Sequence, residues 1–558
     1  MITTVSSVIL VTVVLAFWFR LRKPRLPHPP SPPAHPILGN LKALPKEYNE
    51  DAYRKLAEKY GGIVYLNIMG KPTVIINSEK VANDLLDKRS VIYSDRPPLP
   101  FHHMTGLANT LTFLPYGTEF LKTRKMVQDQ LTRKKCTLFE DIELAQRNIL
   151  LQNLLASPAN FATHVKMFAF SVVLKITYGH NMVSGDEFLK NSDVLEKMIG
   201  EAGGAGQVLL DFIPILRHVP PWFPGAWFSK FAHRIRPLIE ELKEYGVDLV
   251  ERNVSSGNAQ VSFASLHLED LNSEERKSKE ELERLKWASF TFWTAGGGTT
   301  WSSLEGFFLA MVLHPEAQTK AQKELDTVLG HGELPGFEDR DNLPYLNCSL
   351  ILQKRSLLRH IDLSRHMLTR EDIYHRPSTF LPERFLPKPD GFEEPLPSAV
   401  FGFGRRICPG RWLAQSEMWI AIASILSMFD IRPIQNERGE DVLPPPEFHV
   451  SLTRCGHFTF DCDLLLFAEK VPFCEANRNH SNAVLCPGRI KQRHNFANSK
   501  SPRILATSLP LFLVTSSVDG VISLISSRFP EVHDGFLEAA RADAQQIPME
   551  HAQVSFDL

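Results

Sequence analysis

The sequence predicts a mainly α-helical domain with a small β portion, behind a single N-terminal transmembrane helix. Apolar residues recur at helical spacing from about Glu119 to Lys320, whereas strand-like stretches are few and short after this region. An uncharged apolar segment from Ile2 to Phe19 precedes the domain. The composition supports a folded chain, because 43% of the 558 residues are hydrophobic and 22% are charged, as in ordinary globular proteins.

The charges and the cysteines argue against two classes of protein. The 62 Lys and Arg residues nearly balance the 63 Asp and Glu residues, so the net charge is −1. Nucleic-acid binding needs a basic surplus or a concentrated basic face, so no nucleic-acid partner is expected. The seven cysteines include no CxxC pair, which disfavours a disulfide framework and favours a reducing compartment.

Residues 1–19 are predicted to form a transmembrane anchor. As a helix, the 18 residues from Ile2 to Phe19 span about 27 Å, close to the hydrocarbon thickness of an endoplasmic-reticulum bilayer. Four basic residues follow directly, at Arg20, Arg22, Lys23 and Arg25. The positive-inside rule then places the rest of the chain in the cytosol. A cleaved signal peptide is the alternative, but its basic residues would precede the apolar run.

Three further segments follow the anchor. Residues 20–40 form a basic, proline-rich hinge, which polyproline geometry would make a semi-rigid spacer between the membrane and the folded body. The catalytic domain is assigned to residues 41–463. Residues 464–558 form an unassigned tail whose polar composition predicts disorder, and its later apolar run is too interrupted to be a good membrane span.

The domain is expected to begin with alternating short elements. Asp51 to Tyr60 has the pattern of an amphipathic helix, and Ile63 to Asn77 that of a hairpin turning at Gly70 and Lys71. A second helix is predicted from Ser78 to Lys88, with Ser78 as its N-cap.

The loop FGFGRRICPG, from Phe401 to Gly410, presents one thiol just before a predicted helix from Arg411 to Met428. Gly404 is expected to permit a tight turn with positive φ, and Gly410 to let the helix pack close to a flat ligand. Backbone N–H groups of the loop and of the helix N-terminus are expected to lower the pKa of the Cys408 thiol.

Two more side chains of this loop have expected roles. Arg406 can meet an anionic group on the ligand, and Phe401 can shield the sulfur from water. A lone cysteine is more often a small buried hydrophobe. Five fixed positions, however, reduce the probability of a chance match to about one in ten thousand. The pattern therefore predicts a flat ligand bound through a thiolate.

These residues resemble the heme-binding loop of the cytochrome P450 family, the heme-thiolate monooxygenases. The resemblance extends from the N-terminal anchor to roughly Leu464 and is closest to microsomal fungal members, whose substrates include secondary metabolites and aromatic xenobiotics. It implies heme b as the cofactor, with Cys408 as the proximal iron ligand. The thiolate would push electron density onto the iron and favour O–O cleavage.

A second motif, FTFWTAGGGTTWSSLEG, lies on a long helix predicted from about Glu280 to Leu313. Its three consecutive glycines, Gly296 to Gly298, each cost about 1 kcal/mol relative to Ala and so indicate a close backbone approach. The resemblance assigns that approach to dioxygen beside the heme, with Thr299 as the catalytic threonine that holds water for proton delivery. Gly298 stands where the family usually has Asp or Glu, which leaves the proton relay without its acid. A helix crossing is the alternative explanation of the glycines.

A third motif, LPYGTEFLKTRKM from Leu114 to Met126, matches a helix that in the family carries a Trp and an Arg beside a heme propionate. Arg124 fits the arginine, and Phe120 replaces the tryptophan and lacks its N–H donor. The alternative is that Arg124 faces solvent, as arginines of basic helices usually do.

The chain departs from the family at a buried charge network. Leu352 stands at the place of the family's glutamate, while Arg355 and Arg384 match its two arginines. Without the carboxylate, two buried guanidinium groups would cost several kcal/mol. Ser364 follows nine positions after Arg355, where the family usually has several tens of residues, so an internal deletion is inferred near residues 355–364. A lost exon in the gene model or a damaged paralogue would explain both departures.

The leading functional hypothesis is a monooxygenase, single-pass in the endoplasmic reticulum membrane, whose catalytic domain faces the cytosol. It would insert one atom of O2 into an apolar organic substrate, a secondary metabolite or a xenobiotic. Because no flavin-binding fragment is appended, electrons would come from NADPH through a separate NADPH–cytochrome P450 reductase, with cytochrome b5 as a second candidate donor. Membrane lipid is the other expected partner.

Two alternatives come from other functional classes. One is a catalytically impaired heme-binding remnant, suggested by Leu352, Gly298 and the deletion. The other is a heme-thiolate isomerase or dehydratase that needs no external electrons. Four apolar or weakly polar residues are candidates for the substrate pocket: Phe101, Met104, Phe292 and Thr294.

Overall fold

The computed structural model describes the chain in segments. The described residues are 27–36, 38–43, 50–183, 185–202, 210, 213–273, 279–330, 333–357, 367, 370, 372–377, 379–443 and 462–466. The chain divides into two compact units, Met1–Asn482 and Ala483–Leu558, and every described residue belongs to the first. The predicted anchor, most of the inferred deletion and nearly all of the predicted tail lie outside the described residues.

The described part is mainly helical, as predicted. Its α-helices are α1 Glu50–Tyr60, α2 Glu79–Ala82, α3 Ser90–Tyr93, α4 Pro100–Thr105, α5 Thr118–Gln130, α6 Arg133–Cys136, α7 Glu140–Ala156, α8 Phe161–Tyr178, α9 Glu187–Ala202, α10 Trp227–Ser255, α11 Phe263–Ser273, α12 Lys279–Leu313, α13 Pro315–Leu329, α14 Pro344–Leu357 and α15 Arg411–Met428. No helix among the described residues is both long enough and apolar enough to cross a membrane.

The β portion consists of two small antiparallel sheets. β1 Ile63–Ile68 pairs with β2 Lys71–Ile76 in a hairpin that turns at Met69 and Gly70. Near the C-terminal end, β3 Phe429–Gln435 lies between β4 Asp441–Val442 and β5 Cys462–Leu466. The predicted hairpin is confirmed, and its register places Ile63 opposite Ile76.

Most of the predicted helices lie where the sequence placed them. α1 begins one residue before the predicted start, α12 begins at Lys279, and α15 has the predicted bounds. The segment after Ser78 differs in detail, because α2 ends at Ala82 and a π-helical turn continues from Asn83 to Lys88. Ser78 occupies the N-cap position but makes no side-chain capping hydrogen bond.

The proline-rich hinge is not only a spacer, because its described part is attached to the hairpin. The ring of His28 stacks on Tyr65 with centroids 4.2 Å apart, and the Tyr65 N–H donates to the Pro30 carbonyl over 2.9 Å. Asn40 Nδ2 donates to the Pro32 carbonyl over 2.8 Å. These contacts fix the chain's approach to the domain against β1.

The core is organised around α12, which packs against α8, α10, α15 and α5. The glycines of α12 explain its closest crossing. A Cβ at Gly297 would lie 2.6 Å from the ring of Phe170 on α8, and a Cβ at Gly296 would lie 3.0 Å from Val173. For these two glycines the helix-crossing explanation is therefore correct, because α8 itself makes the close backbone approach.

The crossing of α12 and α8 predicts how one added methyl group at Gly297 changes the stability of the protein. Overpacking a core typically costs 1–3 kcal/mol, which exceeds the gain of roughly 1 kcal/mol in helix propensity from Gly to Ala. Gly297→Ala should therefore lower the free energy of unfolding by about 1 kcal/mol, measured by denaturant titration. Phe170→Leu should recover part of this loss in the double variant.

The matched control is Gly117→Ala, at the N-cap of α5. Gly117 has an extended backbone, and an added Cβ would meet nothing within 4 Å. This change should alter stability by less than about 0.5 kcal/mol. Equal stability of the Gly297 and Gly117 variants would contradict the crossing as the reason for the glycines.

Candidate cofactor site around Cys408

The loop before α15 holds its cysteine through backbone hydrogen bonds. The N–H of Cys408 donates to the Phe401 carbonyl over 2.8 Å, and that of Ile407 donates to the Gly404 carbonyl over 3.1 Å. Gly404 has φ of +54°, as predicted, and a Cβ there would lie 1.8 Å from the Leu86 carbonyl oxygen. Glycine is therefore required at 404 both by the backbone conformation and by the close approach of a neighbouring segment.

Gly410 is predicted to let α15 pack close to a flat ligand, which stays a prediction. Gly410 is the N-cap of α15 with φ of −81°, and an added Cβ would approach the Cys408 sulfur and Leu131 only to 4.0 Å. Its backbone N–H contributes more directly, because it forms a hydrogen bond with the Cys408 thiol.

The thiol of Cys408 is subject to opposing electrostatic influences. Burial raises its pKa above the ordinary value, whereas the Gly410 N–H and the positive charges of Arg124 and Arg411 lower it. The predicted lowering by a backbone N–H is confirmed for Gly410, and the two arginines are additional contributors. The net direction is nevertheless upward, because desolvation of the thiolate outweighs all three.

Arg124 lies on α5 beside the cysteine loop. Its guanidinium donates to the Ile407 carbonyl, and Nε donates to Gln128 over 3.0 Å. Burial lowers the pKa of Arg124, and negative charge at Cys408 acts in the opposite direction. The solvent-facing alternative is therefore wrong, since Arg124 is buried and is tied to the residue that precedes the thiol.

Arg406 is directed toward the segment between α3 and α5. Its Nε donates to the Ser94 carbonyl over 2.9 Å, and Nη2 donates to the Leu114 carbonyl over 2.8 Å. The guanidinium also lies 3.8 Å from the ring centroid of Phe120, the residue at the place of the family's tryptophan. Burial lowers the pKa of Arg406 to about 10, and the charges of Arg96 and Arg124 add to this effect.

The face of α12 that carries Thr299 is open in the middle of an otherwise buried helix. Ala295 and Thr299, one turn apart, are exposed, whereas Gly297, Gly298 and Thr300 are buried. The Thr299 hydroxyl donates to the Ala295 carbonyl over 2.7 Å. These two exposed residues therefore interrupt the buried surface of the middle of the helix.

One segment links this helix to the cysteine loop. Leu111 accepts a hydrogen bond from Arg406 over 3.5 Å through its carbonyl, and its N–H donates to Thr291 Oγ1 over 3.3 Å. The loop and α12 therefore contact the two backbone polar groups of a single residue.

These residues fit a flat, anionic, metal-centred ligand. The Cys408 thiol is half-buried, Arg124 and Arg406 supply two positive charges, and Ala295 and Thr299 are exposed on one face of α12. The described residues contain no group of three His, Cys, Asp or Glu side chains that could hold a metal ion by themselves. A metal bound at Cys408 would therefore bring most of its other ligands with it, as the iron of a heme does.

The buried arginine network differs from the sequence-based expectation. Arg384 is fully buried, but its Nη1 lies 2.6 Å from Oε2 of Glu394 and 2.8 Å from the His375 carbonyl. Its Nη2 donates to the carbonyls of Arg376 and Thr379. The expectation that Arg384 lacks a carboxylate is therefore wrong, since Glu394, ten residues later in the chain, supplies one.

Leu352 occupies the core rather than an ionic network, because its side chain is fully buried among apolar residues. The side chain of Arg355 lies outside the described residues. Glu394 was missed because nothing in the motif GFEEPLP marks one of its two glutamates as the partner of a distant arginine.

The four candidate pocket residues are in different environments. Phe101 stacks on Phe231 at 5.7 Å, and Phe292 packs edge-on against Phe263 at 5.4 Å. Thr294 donates its hydroxyl hydrogen to the Phe290 carbonyl over 2.6 Å. Met104 is partly buried and packs against the main core.

The fold and the site together define a class: a mainly helical domain that presents one thiol just before a buried helix, with one arginine in the same loop, a second bound to it, and an exposed threonine on the central helix. A sequence model described as Cytochrome P450 matches residues 29–350 and 363–455. The chain therefore belongs to the cytochrome P450 family, which implies a heme whose iron is bound by a thiolate. The match is interrupted at residues 351–362, next to the inferred deletion.

Several fungal proteins are similar to this chain over most of its length. It is 34% identical to cytochrome P450 monooxygenase 136 of Postia placenta, over 80% of this chain and 89% of that protein. It is 32% identical to a cytochrome P450 monooxygenase of Armillaria gallica, over 79% of this chain and 92% of that protein. A third relative, cytochrome P450 monooxygenase COX1 of Coprinopsis cinerea, is 31% identical over 84% of this chain and 98% of its own length.

The ion pair of Arg384 predicts that replacing Glu394, an acid that no sequence motif marks, strongly lowers the stability of the protein. Glu394→Gln leaves a fully buried guanidinium without its counter-charge, and breaking a buried pair in this way typically costs about 3–5 kcal/mol. The free energy of unfolding, measured by urea titration, should fall by roughly 3 kcal/mol. Glu393→Gln is the matched control, because the neighbouring glutamate is exposed. Similar stability of the two variants would contradict the assigned pair.

Proposed function

We propose that this chain is a heme-dependent monooxygenase that inserts one atom of O2 into an apolar organic substrate. The observation that carries this proposal is the Cys408 loop, which holds a half-buried thiol beside Arg124 at the start of α15. The monooxygenase names of the fungal relatives support the reaction class.

Heme b would supply dioxygen binding and O–O cleavage, assisted by electron density from a thiolate ligand. Cys408 would provide that ligand, and its hydrogen bond from Gly410 would moderate the charge on sulfur. Arg124 and Arg406 would balance the acidic groups of the cofactor from within the fold, where a guanidinium forms strong charge-assisted hydrogen bonds.

Thr299 would position a proton donor on the open face of α12. Its hydroxyl already donates to the Ala295 carbonyl, so its oxygen remains available to accept a hydrogen bond from the cavity side. The neighbouring Gly298 has no ionisable side chain, so Thr299 must receive its protons from another group.

The source of the electrons and the cellular location of the protein are two further parts of this proposal. Electrons would come from NADPH through a separate reductase, since members of this family generally depend on redox partners. The apolar segment from Ile2 to Phe19 and the basic residues after it support a single-pass anchor in the endoplasmic reticulum, with the domain in the cytosol. Phe101 and Phe292 support an apolar substrate.

A catalytically impaired remnant is the second candidate, because Leu352 puts a leucine where the family's glutamate belongs. The Arg384–Glu394 pair weakens this candidate by supplying the carboxylate from elsewhere. A measurement of catalytic activity therefore decides between the monooxygenase and the impaired remnant.

The first experiment examines the purified full-length protein after reduction under carbon monoxide. A thiolate-ligated heme should give an absorption band displaced to long wavelength, and Cys408→Ala should abolish that band together with NADPH-dependent oxygen consumption in the presence of the reductase. Cys348→Ala is the control, because Cys348 is buried in the core and should leave both signals unchanged.

The outcomes separate the candidates. A thiolate band without reductase-driven oxygen consumption would favour the remnant or the isomerase over the monooxygenase. A band that survives Cys408→Ala would overturn the ligand assignment.

A further inference from the structure

One carboxylate closes the segment that precedes the cysteine loop. The side chain of Glu394 is 7% exposed and lies against the fully buried guanidinium of Arg384. Its Oε2 accepts from Arg384 Nη1 over 2.6 Å, and its Oε1 accepts from the His375 N–H over 2.6 Å. A single side chain therefore holds together two residues that lie nine positions apart in the chain.

The surroundings of Glu394 reinforce this closure. Its own N–H donates to the Arg384 carbonyl over 2.7 Å. The ring of His375 stacks on that of Phe392, with centroids 5.0 Å apart. The stretch from His375 to Glu394 is therefore a closed loop whose two ends meet at the Glu394 carboxylate.

Two residues beside this contact have a backbone conformation that favours glycine. Arg376 follows His375 and has φ of 46°, and Glu393 precedes Glu394 and has φ of 56°. Residues other than glycine rarely adopt this left-handed conformation unless the surrounding contacts impose it. The bonds of the Glu394 carboxylate lie next to both strained residues, so they oppose the relaxation of either one.

The closed loop leads directly into the cysteine loop. Pro395 and Pro397 follow it, and proline restricts both its own φ and the conformation of the residue before it. A 3₁₀ turn, Ser398–Phe401, comes next, and the carbonyl of its last residue accepts the N–H of Cys408 over 2.8 Å. This connection is short and stiff. The position of Glu394 therefore constrains where the cysteine loop begins.

The buried arginine of the closed loop also faces the helix that lacks an acid. α14 packs against the turn Pro382–Phe385, which carries Arg384. Leu352 on α14 is fully buried, and Arg384 Nε is buried without a hydrogen-bond partner among the described residues. The counter-charge thus comes from Glu394 within the loop instead of from α14, and this exchange leaves one arginine donor unpaired.

We propose that Glu394 is a positioning residue for the cysteine loop and that it takes over the role of the carboxylate that is missing at Leu352. This inference rests on the proposed function, because the position of the loop matters for the reaction only if Cys408 binds the heme iron. Glu394 acts on the thiol through the closed loop and the two prolines. The leucine at 352 is then one half of an exchange of acids and not a sign of damage.

The first test measures amide hydrogen exchange of the full-length protein in peptides that cover residues 395–408. Glu394→Gln keeps an oxygen that can accept the His375 N–H but removes the negative charge beside Arg384. These peptides should exchange at least about fivefold faster than in the wild type, while peptides from the β1–β2 hairpin keep their rate. Glu393→Gln is the matched control and should leave both rates unchanged. This readout needs neither bound heme nor turnover.

The second test is the fraction of bound heme that gives the thiolate band after reduction under carbon monoxide. A metal ligand must be held close to its productive position by the residues around it, so Glu394→Gln should lower this fraction by about threefold or more. A purely structural role of Glu394 would lower the yield of folded protein and leave the thiolate fraction of the bound heme unchanged.

The third test moves the acid back to α14. Leu352→Glu, added to Glu394→Gln, should restore at least about half of the lost thiolate fraction, because a carboxylate there can again balance the charge of Arg384. Leu352→Gln in the same background has nearly the same shape without the charge, and it should restore nothing. Leu352→Glu alone should bring no gain, because Arg384 already has its counter-charge.

Each result supports or overturns one part of the proposal. Wild-type exchange at residues 395–408 together with a wild-type thiolate fraction in Glu394→Gln would overturn the positioning role. Equal recovery by Leu352→Glu and Leu352→Gln, or recovery by neither, would overturn the exchange of acids. If Glu394→Gln does not fold, the two double variants decide, because only the one with glutamate at 352 should regain folded, thiolate-bound protein.

These outcomes are separate from those of the proposed function. A wild-type protein without a thiolate band would contradict the proposed function, whereas hydrogen exchange at residues 395–408 would still test the positioning role. If the wild type gives the band and Glu394→Gln changes neither the exchange nor the thiolate fraction, this inference is wrong and the monooxygenase proposal stands.

Discussion

The position of the candidate iron ligand depends on one close contact, between Gly404 and the carbonyl of Leu86. The positive φ of Gly404 turns the loop, and the absence of a side chain lets the Leu86 segment lie against it. The turn allows the Cys408 N–H to reach the Phe401 carbonyl, which fixes the thiol at the start of α15. Because the rest of α15 is buried, a displacement of this loop would be transmitted to the core.

The second constraint is the path of α12 through the core. Its glycines let α8 approach at Gly297, whereas Ala295 and Thr299 on the same stretch are exposed. The same turn of helix directs Thr300 toward Glu417, on the helix that follows the cysteine. One stretch of sequence therefore carries a helix crossing, an exposed threonine and a hydrogen bond to a buried acid.

The sequence predicted what short-range patterns determine. The spacing within FGFGRRICPG identified the loop, the positive φ of Gly404 and the start of α15, because all of these depend on neighbouring residues. The hairpin and α12 followed from their periodicity. Arg124 was placed by its spacing of four residues from Phe120, the pattern of the family's Trp and Arg, and the structure confirms that it is buried beside the loop.

The remaining features depend on contacts between distant segments. Glu394 as the partner of Arg384 could not be identified, because a partner in space leaves no fixed spacing in the sequence. The net direction of the Cys408 pKa depends on how deeply the folded chain buries the thiol. The role of Gly296 and Gly297 required the position of α8, and the attachment of the hinge required the ring of Tyr65.

The close contact at Gly404 is expected to hold the cysteine loop in its ligand-binding position. The glycine two residues earlier offers a matched comparison, because Gly402 has φ of +75° and an added Cβ would meet nothing within 4 Å. Alanine at 402 incurs only backbone strain of about 1–3 kcal/mol, because φ of +75° with ψ of −165° is a conformation that glycine adopts most readily. Alanine at 404, by contrast, also collides with Leu86.

The measurement is the fraction of folded protein that carries thiolate-ligated heme in Gly404→Ala and in Gly402→Ala, each compared with the wild type. Gly402→Ala should keep most of this fraction, and Gly404→Ala should lose nearly all of it. Equal and high fractions in the two variants would contradict the dependence of the site on this contact.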